Sequence, residues 1–291
     1  MRNRIGPFLL VFALSSLAVL GFAGAAAAAD DECAACHEDV VKAFAKTNHG
    51  RTFAADGSYS TAGCASCHAG AKEHAESGGE TKPTSVKQGP AANAACLSCH
   101  VGKPNQAHWE GSAHQRSGLA CASCHNPHDT KVPDATERAV KGTGEITRKC
   151  LECHGEQRVA LHQRSSHPLR DGQMECSSCH NAHGTTGEKL LRQASVNEQC
   201  YQCHQNLRGP FLWEHSPVRE DCMTCHKAHG SNYPQLLKAR TAQLCVSCHQ
   251  QGRHQTLPGV PNSVWVSNKA CLNCHSQIHG SNHPSGPLFQ R

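Results

Sequence analysis

Cys222-Met223-Thr224-Cys225-His226-Lys227-Ala228-His229-Gly230 carries the unit from which this chain is built. Its core, C-x-x-C-H, occurs ten times. The cysteine pairs are Cys33/Cys36, Cys64/Cys67, Cys96/Cys99, Cys121/Cys124, Cys150/Cys153, Cys176/Cys179, Cys200/Cys203, Cys222/Cys225, Cys245/Cys248 and Cys271/Cys274. Together they use all 20 cysteines. C-x-x-C-H is the spacing of covalent c-type haem attachment. Two thiols three residues apart add to the two vinyl groups of one porphyrin, and the adjoining imidazole reaches the iron. The proximal histidines are then His37, His68, His100, His125, His154, His180, His204, His226, His249 and His275. Zinc ribbons need paired cysteines but no histidine after every pair. Thiol–disulfide exchange needs one such site in a βαβ setting. Iron–sulfur ligation needs C-x2-C-x2-C runs, which are missing here.

The N-terminus has the form of an export signal. Arg2 and Arg4 precede an apolar stretch over 5–20, and small residues from Ala25 to Ala29 suit cleavage near Ala29. An uncleaved anchor is the alternative, since that run is long enough to span a bilayer. Export places the chain where haem is joined to cysteine, which in a bacterium is the periplasm. A mature chain of about 262 residues leaves roughly 26 for each haem. With seven Phe, three Tyr and three Trp, it is short of ordinary core formers. Porphyrin faces are expected to replace an aliphatic core, so the fold should depend on its cofactor.

Charge argues against a nucleic-acid partner. Without Arg2 and Arg4 there are 26 basic and 23 acidic side chains. Ionised propionates of ten haems would bring the total to roughly −7 oxidised and −17 reduced. Basic side chains are better matched to propionates than to phosphates.

The motifs alternate in five pairs. First members open at Cys33, Cys96, Cys150, Cys200 and Cys245. Second members open at Cys64, Cys121, Cys176, Cys222 and Cys271, and a second histidine follows most of them closely. Of the 23 histidines, thirteen lie outside the motifs. The repeat selects ten as distal ligands. His74, His128, His183, His229 and His279 follow second members, whereas His49, His114, His167, His215 and His254 precede them. His108, His162 and His283 are left over, and His108 or His162 could replace His114 or His167. His229, three residues after His226, is poorly placed to reach the opposite face of the same haem and suits a neighbour. Two histidines on every iron leave no open position, which suits electron transfer and argues against catalysis.

Secondary structure should be sparse. A short helix is expected over Ala34–Phe44, and single helices over Gly187–Gln193 and Pro234–Arg240. Strands should be few or absent. Loops are expected over Gly78–Asn93 and Pro258–Asn268, and a loop with some helix over Asp129–Thr143. Glycine after histidine at Gly184, Gly230 and Gly280 implies a turn or a close backbone approach to haem. Trp109, Trp213 and Trp265 are best read as packing residues. The fold class is a multihaem cytochrome c fold, elongated and mostly irregular, with a haem-packed core in which each unit touches its neighbours.

Ten motifs in this paired order, with the recurrent C-x-x-C-H-x-x-H-G, resemble the DmsE/MtrA-type periplasmic decahaem cytochromes from Cys33 to His279. The resemblance implies bis-His haems in two similar five-motif halves, 30–160 and 161–291, dividing between His154 and Cys176. The His74 and His279 spacings depart from the pattern. It also implies a haem wire inside an outer-membrane β-barrel porin. A periplasmic or inner-membrane cytochrome would serve one end, and an outer-surface multihaem cytochrome or terminal reductase the other. The alternatives are a free periplasmic shuttle feeding a reductase, and a multihaem oxidoreductase with one open iron.

Overall fold

The structure, a computed structural model, describes residues 31–55, 61–86, 90–128, 144–250, 271–284 and 286–290. The expected export signal, the segments 129–143 and 258–268, His254 and Trp265 lie outside these residues.

Short helices and tight turns make up the described chain, and no strand forms within it beyond four isolated bridges. First members of the motif pairs sit on helices: α1 (Asp31–Ala45), α5 (Pro90–His100), α7 (Glu145–Leu151), α9 (Val196–Tyr201) and α11 (Thr241–Val246). Second members open as 3-10 turns at Cys121–Ser123, Cys176–Ser178, Cys222–Thr224 and Cys271–Asn273. The exception is Cys64, at the end of α3 (Thr61–Ala65). The remaining helices are α2 (Asn48–Ala55), α4 (Ala71–Glu76), α6 (Ala113–Arg116), α8 (Gly155–Leu161) and α10 (Ser216–Glu220). Local chemistry sets several of these boundaries. Ser112 and Ser195 cap α6 and α9 by accepting from the amides of Gln115 and Glu198, each at 3.2 Å. Proline opens α5 and suits a first turn, whose amides lack helical partners.

Three expectations need correction. The loop expected over 78–93 ends early, because α5 begins at Pro90. Residues 187–193 and 234–240 do not form helices. Each contains one 3-10 turn, Glu188–Leu190 or Pro234–Leu236, in which two residues are left-handed: Lys189 and Leu190 in one, Gln235 and Leu236 in the other. The turn sends the chain back alongside its own motif. The amides of Asn181 and Lys227 bond the carbonyls of Leu190 and Leu236 at 2.9 and 2.7 Å. The leucine pairs that suggested helix mark this return.

Few apolar side chains are buried. Among the described residues they are Ala92, Trp109, Ala120, Leu161, Leu169 and Leu237. Polar hydrogen bonds hold the units in place instead. The first member's helix packs on the second member's turn through a buried polar residue three positions before the first cysteine. Asn93 accepts from the Cys121 amide at 2.8 Å. Asn197 accepts from the Cys222 amide at 2.8 Å and donates to the carbonyls of Val218 and Arg219 at 3.0 and 2.9 Å. Thr147, fully buried, accepts from the Cys176 amide at 3.3 Å and donates its hydroxyl to Glu175 at 2.8 Å.

Successive pairs then interlock. Ser165 and Ser231 exchange two amide–carbonyl bonds of 2.8 Å, and Trp213 and Ser281 exchange two of 2.9 Å. The glycine that follows a histidine sits at this junction. A Cβ on Gly230 would lie 1.9 Å from the Ala160 carbonyl oxygen, and one on Gly184 would lie 2.0 Å from that of His108. The close approach that requires glycine is therefore to the backbone of the preceding unit.

Candidate haem centres

Each motif is a single turn of backbone. The histidine amide bonds the carbonyl of the motif's first cysteine at 2.8–3.1 Å in the eight motifs that open at Cys64, Cys121, Cys150, Cys176, Cys200, Cys222, Cys245 and Cys271. One turn brings two thiols three residues apart to the same side, next to the imidazole. This is the arrangement that two vinyl additions and one axial ligand require. None of the 20 cysteines is joined to another in a disulfide.

The two thiols of a motif are not equally sheltered. Every first cysteine is half-buried. In four motif pairs the first cysteines of the two members meet within hydrogen-bonding reach: Cys96 with Cys121, Cys150 with Cys176, Cys200 with Cys222, and Cys245 with Cys271. Each covers the other. The second cysteines have no such counterpart. Cys36, Cys67, Cys99, Cys124, Cys153, Cys203, Cys248 and Cys274 are exposed, and Cys179 and Cys225 are half-buried. Three residues of turn carry the second thiol to the outer edge of the motif, away from the seam between members. Protein atoms therefore do not enclose these eight sulfurs. Exposure does not disqualify them as attachment residues, because a thiol must be open along one side to meet the edge of a flat macrocycle.

Nine of the thirteen histidines outside the motifs each face a motif histidine across a similar gap. Nine pairs of rings have centroids 5.8–6.5 Å apart: His37 with His74, His68 with His128, His100 with His49, His125 with His183, His154 with His114, His180 with His229, His204 with His167, His226 with His279, and His249 with His215. One metal ion held by both rings at about 2 Å per bond needs centroids about 6 Å apart. The residues present therefore fit an iron between each pair. No three His, Cys, Asp or Glu side chains among the described residues form a metal-binding group, so each ring pair stands by itself.

The pairing follows a rule. A histidine after a second-member motif faces the proximal histidine of the previous second member: His128 faces His68, His183 faces His125, His229 faces His180, and His279 faces His226. A histidine before a second member faces the next first member: His49 faces His100, His114 faces His154, His167 faces His204, and His215 faces His249. Every partner in these two series comes from an adjacent unit. His37 and His74 form the exception at one end. His275 closes the other end, and His254 lies outside the described residues. His108, His162 and His283 do not occur in these nine pairs.

Backbone carbonyls orient the imidazoles. His180 and His226 donate from Nδ1 to the carbonyls of the left-handed residues Lys189 and Gln235, at 2.9 and 2.8 Å. His275 donates likewise to Leu288 at 2.6 Å. His114, His167 and His74 donate to Ala182, Ala228 and Thr81 at 2.8, 2.8 and 2.7 Å. Such bonds fix the tautomer, leave Nε2 for a metal and raise the ligand's basicity. Burial first, and the facing histidine second, hold His128, His215, His229 and His279 below the ordinary imidazole range. The neutral form they favour is the one a metal needs. Trp109 is buried with its ring edge-on to His183, in a packing position.

The carbonyl acceptors and the polar anchors Asn93, Thr147 and Asn197 escaped sequence reading. The anchors did leave a signal, a polar residue at a constant three positions before a first-member cysteine.

Three segments of the chain, 113–159, 167–209 and 215–254, match the family model described as a doubled CXXCH motif. Each segment begins just at or before an upstream histidine and contains the proximal histidine that it faces, so the family unit is closed around one ring pair. The chain is also 40% identical over 276 residues to the multiheme cytochrome MtrA of Shewanella baltica, a match covering 90% of this chain and 81% of that protein. A shorter likeness, 27% identity over 84 residues, links it to the dissimilatory sulfite reductase MccA of Wolinella succinogenes and covers 24% of this chain and 11% of that protein.

Motif, fold and relatives together define a multihaem c-type cytochrome with covalently attached haem. The chain belongs to the MtrA family of multihaem electron-transfer cytochromes.

Proposed function

We propose that the chain carries ten haems, one per motif, each held between two histidines, and that it conducts electrons across the outer membrane inside a β-barrel partner. The observation that carries this reading is the offset ring pairing. Because each second histidine comes from the adjacent unit, occupied sites would tie consecutive units into one continuous row. The tenth iron falls to His275 and His254, the last two of the selected set.

Haem supplies reversible uptake of one electron per site. The protein's part is to hold both axial imidazoles neutral and oriented, through carbonyls such as those of Lys189, Gln235 and Ala228. Two histidines per site leave nowhere for a substrate to bind, which favours an electron carrier over an enzyme. The short likeness to a sulfite reductase falls on a quarter of the chain and a ninth of that protein, too little to carry its activity over to this chain. Five motifs fall in each of two halves, 30–160 and 161–291, which we read as parts of one wire.

No helix among the described residues is long and apolar enough to cross a membrane. A chain with so few buried apolar side chains needs another protein to shield it from lipid, and a closed barrel does so. We place it in the periplasm at the outer membrane. A periplasmic or inner-membrane cytochrome would exchange electrons at one end, and an outer-surface multihaem cytochrome or terminal reductase at the other. Gentle detergent extraction of native membranes, then size separation with haem staining and mass spectrometry, tests the proposal. A haem-positive complex containing a large β-barrel is expected. Recovery solely as a free monomer in the periplasmic fraction would replace the conduit with a soluble shuttle.

A further inference from the structure

The site made by His249 and His215 differs from its repeats. In the other three sites whose second histidine lies upstream, the ring planes cross. The interplanar angles are 76° for His49 and His100, 62° for His114 and His154, and 57° for His167 and His204. For His215 and His249 the angle is 21°. That value belongs with the sites whose second histidine follows a motif, at 17–31°.

Two local differences coincide with the change. His114 and His167 donate from Nδ1 to the carbonyl of the residue just before a post-motif histidine, Ala182 or Ala228. His215 has the same place in its unit, but its buried Nδ1 has no hydrogen-bond partner. The reason is legible in the chain. Cys271 opens CLNCHSQIHG, with one residue more between its two histidines than CSSCHNAHG or CMTCHKAHG. The backbone shifts accordingly. Asn181 and Lys227, directly after their motif histidines, bond the returning segment, whereas in the last unit Gln277 does so, at 2.9 Å to the Phe289 carbonyl. The second difference is the returning residue itself. Leu190 and Leu236 hold this left-handed position in the earlier units, and Phe289 holds it here with φ 53°. The Phe289 ring stands edge-on to His215, with centroids 5.5 Å apart and planes at 62°.

We propose that Phe289 is the positioning residue of His215: its ring replaces the carbonyl that orients His114 and His167, and turns the imidazole from the crossed into the near-parallel arrangement. The effect reaches the metal through orbital symmetry. Parallel imidazoles donate into the same iron d orbital and split the pair, whereas crossed imidazoles act on both and leave them nearly degenerate. Near-parallel ferric sites give rhombic low-spin electron paramagnetic resonance signals, and crossed sites give strongly anisotropic ones. A ligand without an Nδ1 acceptor is also a weaker donor and favours the reduced state. The residues of this unit therefore set this site apart, in electronic structure and in potential, from the other three sites whose second histidine lies upstream.

This inference rests on the reading of two histidines per haem. Full-length haem-loaded protein and two variants, Phe289→Leu and Phe289→Tyr, should be compared by electron paramagnetic resonance, redox titration and haem count by mass. Leucine is accommodated at the matching Leu190 and Leu236. In Phe289→Leu, about one tenth of the low-spin intensity should move from the rhombic to the anisotropic class, with haem count unchanged. Phe289→Tyr, which keeps the ring, should match the parent protein. A Phe289→Leu spectrum identical to the parent's would overturn the proposal, as would equal haem loss in both variants, the mark of a purely structural role. A full-intensity high-spin signal already present in the parent would instead refute the two-histidine reading beneath it.

Discussion

Asn197 gives the sharpest test of how a chain with so small an apolar core is held together. It makes three hydrogen bonds, of 2.8, 3.0 and 2.9 Å, that join α9 to α10 and to the next motif. The residue is 8% exposed, so water cannot readily replace them. At about 1 kcal/mol per bond, Asn197→Ala should cost about 3 kcal/mol, part of it from the stranded Cys222 amide. For a domain of 150–250 residues this lowers the apparent Tm by about 6–12 °C. Asn93, in the same position of an earlier pair, makes one firm bond of 2.8 Å and one at 3.4 Å. Asn93→Ala should therefore cost about 1–1.5 kcal/mol. Asn197→Asp keeps an acceptor for Cys222 but turns a carboxylate oxygen toward two carbonyls, and should fall at least as far as the alanine variant. Glu38→Gln, which breaks an exposed ion pair, serves as a control with no expected effect. The assay is thermal loss of helical circular dichroism in haem-loaded proteins of matched haem content. Asn197→Ala melting no lower than Asn93→Ala would refute the reasoning.

Further outcomes follow from the same contacts. Thr147→Val removes the hydroxyl that links Glu175 to the Cys176 amide, and should cost about 2 kcal/mol in the same melting assay. Gly230→Ala drives a methyl into the Ala160 carbonyl and should cost about 1–3 kcal/mol. Hydrogen exchange should show the Ser231 amide losing protection first. His229→Ala should create one high-spin site, at the motif of His180 rather than its own. Removing Cys176 and Cys179 as well should abolish that signal, while removing Cys222 and Cys225 should leave it.

Covalent attachment sites are legible from sequence because one turn of backbone makes each of them. Cys222, Cys225 and His226 need nothing outside their own five residues. The paired order is equally local, and the short helix expected over Ala34–Phe44 lies within α1 but is broken by a kink at His37, where φ is −122° and ψ 39°. How far each thiol is sheltered is not local. Cys200 is half-buried and Cys203 exposed because Cys222, from the other member of the pair, covers the former alone. Partner identity is not local either. His229 stands three residues from His226 yet faces His180, because the chain must pass through a neighbouring unit before the two rings meet. The leucine pairs at Leu190-Leu191 and Leu236-Leu237 misled for a related reason. Their spacing suits a helix, but bonds from the motif's histidine and the residue after it pull them into left-handed turns. A tertiary hydrogen bond overrides local propensity there. Asn93, Thr147 and Asn197 look like ordinary helix polar residues until the facing turn is in place.

Diffraction from the haem-loaded protein at the iron absorption edge would test the ligand arrangement directly, since each iron marks its own position. The pairing predicts ten anomalous peaks, about one per motif. Nine should lie midway between the named ring pairs, including one between His229 and His180, and the tenth between His275 and His254. A peak between two histidines of the same unit where an adjacent one is named, or a haem with only one histidine, would contradict it.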